Sequence, residues 1–294
     1  MPLTRFVCPD GVEVPLVECL ATCRMSRRCL SLATLREVAN VRPWTGKPSV
    51  TQLLNGTRME VLKIQEEYAI RPQDRAFALL GTAHHSRLEE MSFDTDAEFT
   101  VNLVGVSGHP DLLEANEDGT FTLWDYKTWG SYRVARFLGL QAEKIDDPSG
   151  GVYQRSGTWG KAGTPRQVTL WTANPLMADA EEPTLQLNAY RIGVEQGAQV
   201  NVSEMRLQVT VRDGGLAVAK GRGVEQLIYT LDVERLRDDE VKAFFADKAE
   251  ALNEGLYEEF PPMCSPSERW DDERCRAYCD VWFACDHGRA VREE

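Results

Sequence analysis

At 294 residues, 43% hydrophobic and 27% charged, the chain has the makings of a globular protein with one sizeable core or two modest ones. A net charge of −13 excludes a generally basic protein that coats nucleic acid. No apolar run approaches the ~18 residues of a membrane span, and the start MPLTRFVCPDGVEV lacks an apolar targeting core, so a soluble, cytoplasmic protein with no membrane partner is expected.

The basic residues are concentrated locally. Residues 1–63 hold nine Lys/Arg against five Asp/Glu, and residues 127–167 hold seven against three, enough for local phosphate contacts. The first element along the chain is a cysteine group, Cys8, Cys19, Cys23 and Cys29. It is answered at the other end by Cys264, Cys275, Cys279 and Cys285, and both groups read C-x10-C-x3-C-x5-C. Four thiolates per group is the number that tetrahedral zinc or a cubane iron–sulfur cluster requires, and the x3 spacing sets two sulfurs one helical turn apart. A reducing cytosol argues against disulfides. Apolar neighbours around Cys275–Cys285 suit a 4Fe-4S cluster, and Arg24, Arg27 and Arg28 beside the first group suit zinc, whereas the identical spacing argues for one metal type in both.

A short helix is expected from Ser31 to Asn40, then a loop through Pro43, Trp44 and Gly46. A longer helix starts at Ser49, with Gln52 positioned to complete a capping box. Another runs from about Asp74 to Met91 and carries GTAHHSRLE, in which His85 and Glu89 share a face. Ala97 to Val106 reads as one strand leading into GHPDLLEANEDGTFTLWDYK, residues 108–127. This stretch predicts a β-hairpin turning at Asn116–Gly119, where Asp-Gly supplies the positive φ angles of a tight turn. Fold-back then sets Asp111 opposite or diagonal to Asp125, with Lys127 on the same side as Asp125. Like charges so close favour a hard divalent cation between them; a solvated hairpin with a surface salt bridge is the other reading.

Beyond the hairpin, a short helix bears Arg133 and Arg136, and 142–182 reads as a long loop interrupted by a short strand at Gln167–Thr172. Pro183 and Thr184 open a helix with Gln186 and Tyr190 on one face. Glu204–Val211 alternates as a strand, Gln226–Val233 returns, and an amphipathic helix starts at Asp238. Domain boundaries are expected at 1–45 and 261–294 for the two cysteine modules, flanking a core at 46–260.

Taken together, Gly81 to His85, Gly108 to Asp111, Asp125-Tyr126-Lys127 and Gln186 to Tyr190 resemble the PD-(D/E)XK nuclease superfamily, in particular its RecB-type exonuclease branch. The resemblance covers roughly residues 49–198. It implies an α/β fold, a restriction-endonuclease-like core with a central mixed β-sheet flanked by helices. It also implies a Mg- or Mn-dependent site of Asp111, Asp125, Lys127, His85, Gln186 and Tyr190. The terminal cysteines are similar to those of AddB and the CRISPR-associated exonucleases, in which one N-terminal and three C-terminal cysteines jointly hold a 4Fe-4S cluster. Here the trio is C-x3-C-x5-C rather than C-x2-C-x5-C and each end carries four, so two self-contained sites or a mixed-ligand cluster both follow.

The resulting expectation is a metal-dependent DNA exonuclease of a bacterial, archaeal or phage-infected cell. It would act on single strands or duplex ends in recombination, repair, phage replication or CRISPR adaptation, with a recombination or helicase partner. A structure-specific or restriction-like endonuclease is the alternative on the same core. A non-catalytic nucleic-acid-binding scaffold is the alternative of another class.

Overall fold

A computed structural model of the chain describes residues 3–90, 96–97, 100–157, 160–259 and 261–293, with positions 76, 89, 96 and 97 described as backbone only. The chain is mixed α/β, with several small sheets, and divides into two units. Met1–Asp125, Thr184–Met205 and Val233–Glu294 form the first; Tyr126–Pro183 and Arg206–Asp232 form the second.

In the first unit, Leu3–Val7 pairs antiparallel with Glu13–Pro15 and parallel with Tyr68–Ile70. Its inward side chains Leu3 and Phe6 join Leu35, Val38, Met59, Leu62, Tyr68, Ile70 and Val281 in an apolar core against which Cys8, Cys29, Cys264 and Cys279 also pack. Helix Leu32–Ala39 starts where the sequence expects, with the Ser31 hydroxyl accepting the Thr34 amide at 3.2 Å. The helix expected to run on from Ser49 is two helices, Val50–Leu53 and Thr57–Gln65. Ser49 caps the first, but the Gln52 side chain reaches Glu60 at 3.3 Å, so only half of the capping box forms. The break falls at Gly56, where a Cβ would lie 2.8 Å from Cys264 Sγ; only a glycine admits the thiol there. The next helix, Ala76–Glu89, follows a 3-10 turn at Pro72–Arg75; Met91 lies outside the described residues.

The single strand expected from Ala97 to Val106 is not formed. Asp96–Ala97 pairs with Leu112 and Leu113, while Val101–Leu103 and Val106–Gly108 make a hairpin of their own. Val104 and Gly105 turn it with φ of +45° and +85°, and Asn102 Oδ1 accepts the Gly105 amide at 2.9 Å. Positive φ at a valine runs against its β-branched preference, which is why the sequence conceals this turn. The main hairpin is as expected: Leu112–Ala115 pairs with the start of Phe121–Trp129, and the Gly119 amide closes the turn on Asn116 O at 3.1 Å. At the start of Val202–Val211, Asn201 O accepts the Phe121 amide at 2.9 Å, adding a further strand beside the hairpin.

In the second unit, the short strand expected at Gln167–Thr172 forms as Gln167–Ala173, but its partner Leu140–Asp146, in seven-residue antiparallel register with it, is not expected from the sequence. Leu140–Asp146 is largely exposed and carries no alternation of a buried face to announce a strand. Arg206–Thr210 pairs with Ile228–Asp232. Helix Ser131–Phe137 is fastened at its start by Asp213, whose carboxylate accepts the Ser131 amide and hydroxyl, both at 2.6 Å.

Helix Glu181–Ala198 carries the most heavily buried charge. Arg191 is 0% exposed, and its guanidinium donates to Glu195 at 2.8 Å and Asp238 at 2.7 Å. The neighbouring Asn188 donates to Thr184 O and Glu234 O and accepts the Leu236 amide, so helix Asp238–Gly255 is docked through polar groups as well as apolar ones. Arg191→Ala empties a fully buried side-chain volume and removes the donor that links Glu195 to Asp238, so it is expected to cost about 2–5 kcal/mol in urea unfolding; a loss below ~1 kcal/mol, the range of an exposed pair, would contradict this account.

Candidate active site and cysteine centres

The hairpin ladder ends with Leu112 paired to Trp124, so Asp111 and Asp125 are the next residues on its two arms. Asp125 is 2% exposed, and both carboxylates act on the phenol of Tyr190. His85, on helix Ala76–Glu89, brings Nδ1 to 3.0 Å from Asp111 Oδ1. Its neighbour His84 has its pKa pushed down by burial and then by His85, so His84 is neutral at physiological pH.

Behind these groups lies the ring of Tyr190. A Cβ at position 108 would stand 2.7 Å from Tyr190 Cε1, so the glycine of GHPD is the residue that lets the ring press against the backbone leading to Asp111. Gln186 Nε2 donates to the Tyr190 hydroxyl at 2.9 Å, as their shared helix face allows. Burial raises the Tyr190 phenol well above its ordinary pKa, and the carboxylates of Asp125 and Asp111 add to the shift, so the phenol stays protonated. Tyr190 is 3% and Gln186 6% exposed, so both side chains are packed inside the unit.

The structure thus gathers His85, Asp111, Asp125, Gln186 and Tyr190 within the first unit. Lys127 follows two residues beyond Asp125 on the same strand and lies, half-buried, in the second unit. The Glu89 side chain is outside the described residues. Glu114, a candidate extra acid, is exposed and accepts the Trp124 indole at 2.9 Å, which takes it away from the pair.

The thiols form two separate sets. Burial raises the Cys19 pKa, and the neighbouring Cys8, Cys29 and Cys23 add to it. Cys264, Cys275, Cys279 and Cys285 line one cavity of about 30 Å³ together with Arg58, Arg269 and His287. No thiol is joined in a disulfide. Burial pushes the Cys279 thiol up to about 11, and Cys264 and Cys275 also rise. A bound cation would favour the thiolate form of these buried thiols, so the donor type suits a metal or cluster.

Sequence reasoning missed two donors at the second set. Asp272, Cys275 and His287 offer ligand atoms within 4.8 Å of one another, with His287 Nε2 at 2.7 Å from Asp272 Oδ1. Arg269 binds the same Asp272 oxygen at 2.6 Å and also contacts His287, so a guanidinium already occupies that spot. The only signal was a histidine two residues after the last cysteine. The module is moored by Glu268, which accepts from Lys248, from the Thr57 amide at 3.0 Å and hydroxyl at 2.9 Å, and from the Ser265 amide at 2.6 Å.

No family model and no curated protein matches the chain. Among solved structures it is similar to the one described as the crystal structure of SSO0001, at 14% identity over 86% of this chain and 92% of that chain, with a TM-score of 0.41. A likeness of that degree assigns neither fold nor activity. Among the described residues, no helix is long and apolar enough to cross a membrane.

Two outcomes follow for the cysteine centres. Burial alone would raise the Glu268 pKa, but the Lys248, Ser265 and Thr57 hydrogen bonds hold it below the ordinary 4.5. A depressed carboxylate contributes stability above its unfolded pKa and loses it as pH falls through the folded one. The stability gap between wild type and Glu268→Gln is therefore expected to be widest above pH 4.5 and to close on further acidification; a gap independent of pH would remove the ion pair from the account. Stripping metal with a thiol-competing chelator is expected to lower the melting temperature, because centres of this kind form together with the fold. An unchanged melting temperature, with metal analysis showing complete removal, would leave the thiols without a structural role.

Proposed function

We propose that the chain is a Mg- or Mn-dependent deoxyribonuclease built on a restriction-endonuclease-like core, hydrolysing phosphodiester bonds from DNA ends. What supports the reading most is the meeting of Asp111 with His85 at 3.0 Å beside the buried Asp125, in the order and spacing of the nuclease motifs. Two carboxylates on adjacent strands suit a hard, oxygen-seeking divalent ion.

When bound, such an ion supplies Lewis acidity to the scissile phosphate and a strong nucleophile at neutral pH. Asp111 and Asp125 would hold it. His85, tied to Asp111 through Nδ1, fixes the rotamer of that carboxylate and offers a further nitrogen donor. Lys127 would orient the attacking water and offset charge developing on the phosphate. Gln186 and Tyr190 back the backbone at Gly108 and so hold Asp111 in place; they need not touch substrate. The two thiol sets carry a 4Fe-4S cluster, zinc, or both, in a structural role.

Asp125→Ala and Lys127→Ala are each expected to cut manganese-dependent degradation of end-labelled linear DNA by at least ~100-fold, with circular dichroism and melting close to wild type. Full activity in either folded variant would refute the site. Closed circular DNA is expected to survive under conditions that consume its linear form. Nicking of the circle would transfer the proposal to the endonuclease reading.

A further inference from the structure

A cavity of the first unit measures about 1030 Å³ and is far bigger than a metal or its waters require. It lies at the upper end of the ~300–1,000 Å³ typical of ligand sites. Its wall includes Thr82, one turn before His85 on the same helix, and His109, two residues before Asp111, so it abuts the acid pair. In a chain of net charge −13 its lining has the opposite bias, with Arg42, Lys47, Lys63 and Arg75 against Glu37 and Glu60.

Those cations are not equivalent. Lys63 lies 3.5 Å from Asp280 and 3.7 Å from Glu60, and Arg75 also pairs with Asp280, so both are compensated. Among the described residues, no ion pair engages Arg42 or Lys47, and both are exposed. Between them on the same loop stands Trp44, half-buried and lining the cavity. An apolar small molecule would desolvate the two cations without compensating them. A simple anion would have no use for the indole. An aromatic face between two cations suits alternating flat bases and phosphates.

We infer that this cavity binds a single-stranded polynucleotide segment, with a base stacked on Trp44 and phosphates at Arg42 and Lys47, and that it delivers the strand to the acid pair. A base-paired duplex has no free base face to offer the indole, so the loop selects for melted or single-stranded ends. The assignment of the cavity as an entry to a hydrolytic site rests on the proposed nuclease reading; the binding itself does not.

The test measures binding alone. Fluorescence anisotropy of a labelled oligo-dT of ~12 nucleotides, within the range that such grooves cover, is followed with no divalent cation added. Trp44→Ala is expected to weaken binding by about ten-fold or more, and Trp44→Phe to restore most of it. Arg42→Ala combined with Lys47→Ala, at two exposed positions that folding does not need, is expected to reduce the slope of log affinity against log salt by ~1.4. Wild-type affinity and slope in all of these variants would overturn the inference, as would an equal effect of Trp44→Ala on a blunt duplex. Binding that depends on Trp44 in a wild-type protein that never cleaves with manganese would keep this cavity and discard the nuclease reading.

Discussion

The arrangement depends on one hairpin register, which brings two carboxylates to the same end of a ladder. Asp111 and Asp125 directly follow the Leu112–Trp124 pair on its two arms, and slipping that pair by a residue would turn every side chain of the strand to the opposite face. The backbone is pinned from the other side as well, because Tyr190 fills the space that a side chain at position 108 would need. Asp125 is buried, so water screens its charge poorly, and His85 against Asp111 sets a nitrogen donor beside the acids; holding a divalent cation is the use we propose for them.

The cysteine sets show the same coupling of local break to chemistry. Cys264 packs against Gly56, just ahead of helix Thr57–Gln65, and Lys248 bridges Asn55 O, Thr57 and Glu268, so the terminal segment is tied to the helices that it meets. Arg58 donates to Pro261 O at 2.6 Å and reaches Cys285 Sγ at 3.7 Å, setting a positive charge beside the thiols. Cysteines of both sets thus belong to one apolar core, since Cys8, Cys29, Cys264 and Cys279 all pack against the cluster built from Phe6, Leu35 and Val281.

Much of this was legible beforehand, and the exceptions have physical causes. The hairpin announced itself through Asp-Gly and its β-rich arms, and the Gln186–Tyr190 pairing followed from helical spacing alone. The grouping of thiols into two sets followed from the repeated spacing. The second-unit ladder at Leu140–Asp146 stayed hidden because its exposed faces lack an apolar rhythm. Val104 at positive φ hid a turn inside what read as a strand, and the steric demand of Cys264 on Gly56, 208 positions away, cannot be read from either neighbourhood. Arg191 was overlooked because a charged residue in an amphipathic helix ordinarily faces water; its partner Asp238 comes from a different helix.

The central claim is that the hairpin acids exist to hold a divalent cation. Manganese titration followed by electron paramagnetic resonance reads this directly, since bound Mn²⁺ loses the sharp signal of the free ion. The account predicts saturable loss of free signal in the wild type that disappears when Asp111→Ala and Asp125→Ala are combined in a variant with an unchanged melting curve. Equal manganese uptake by wild type and the folded double variant would contradict it.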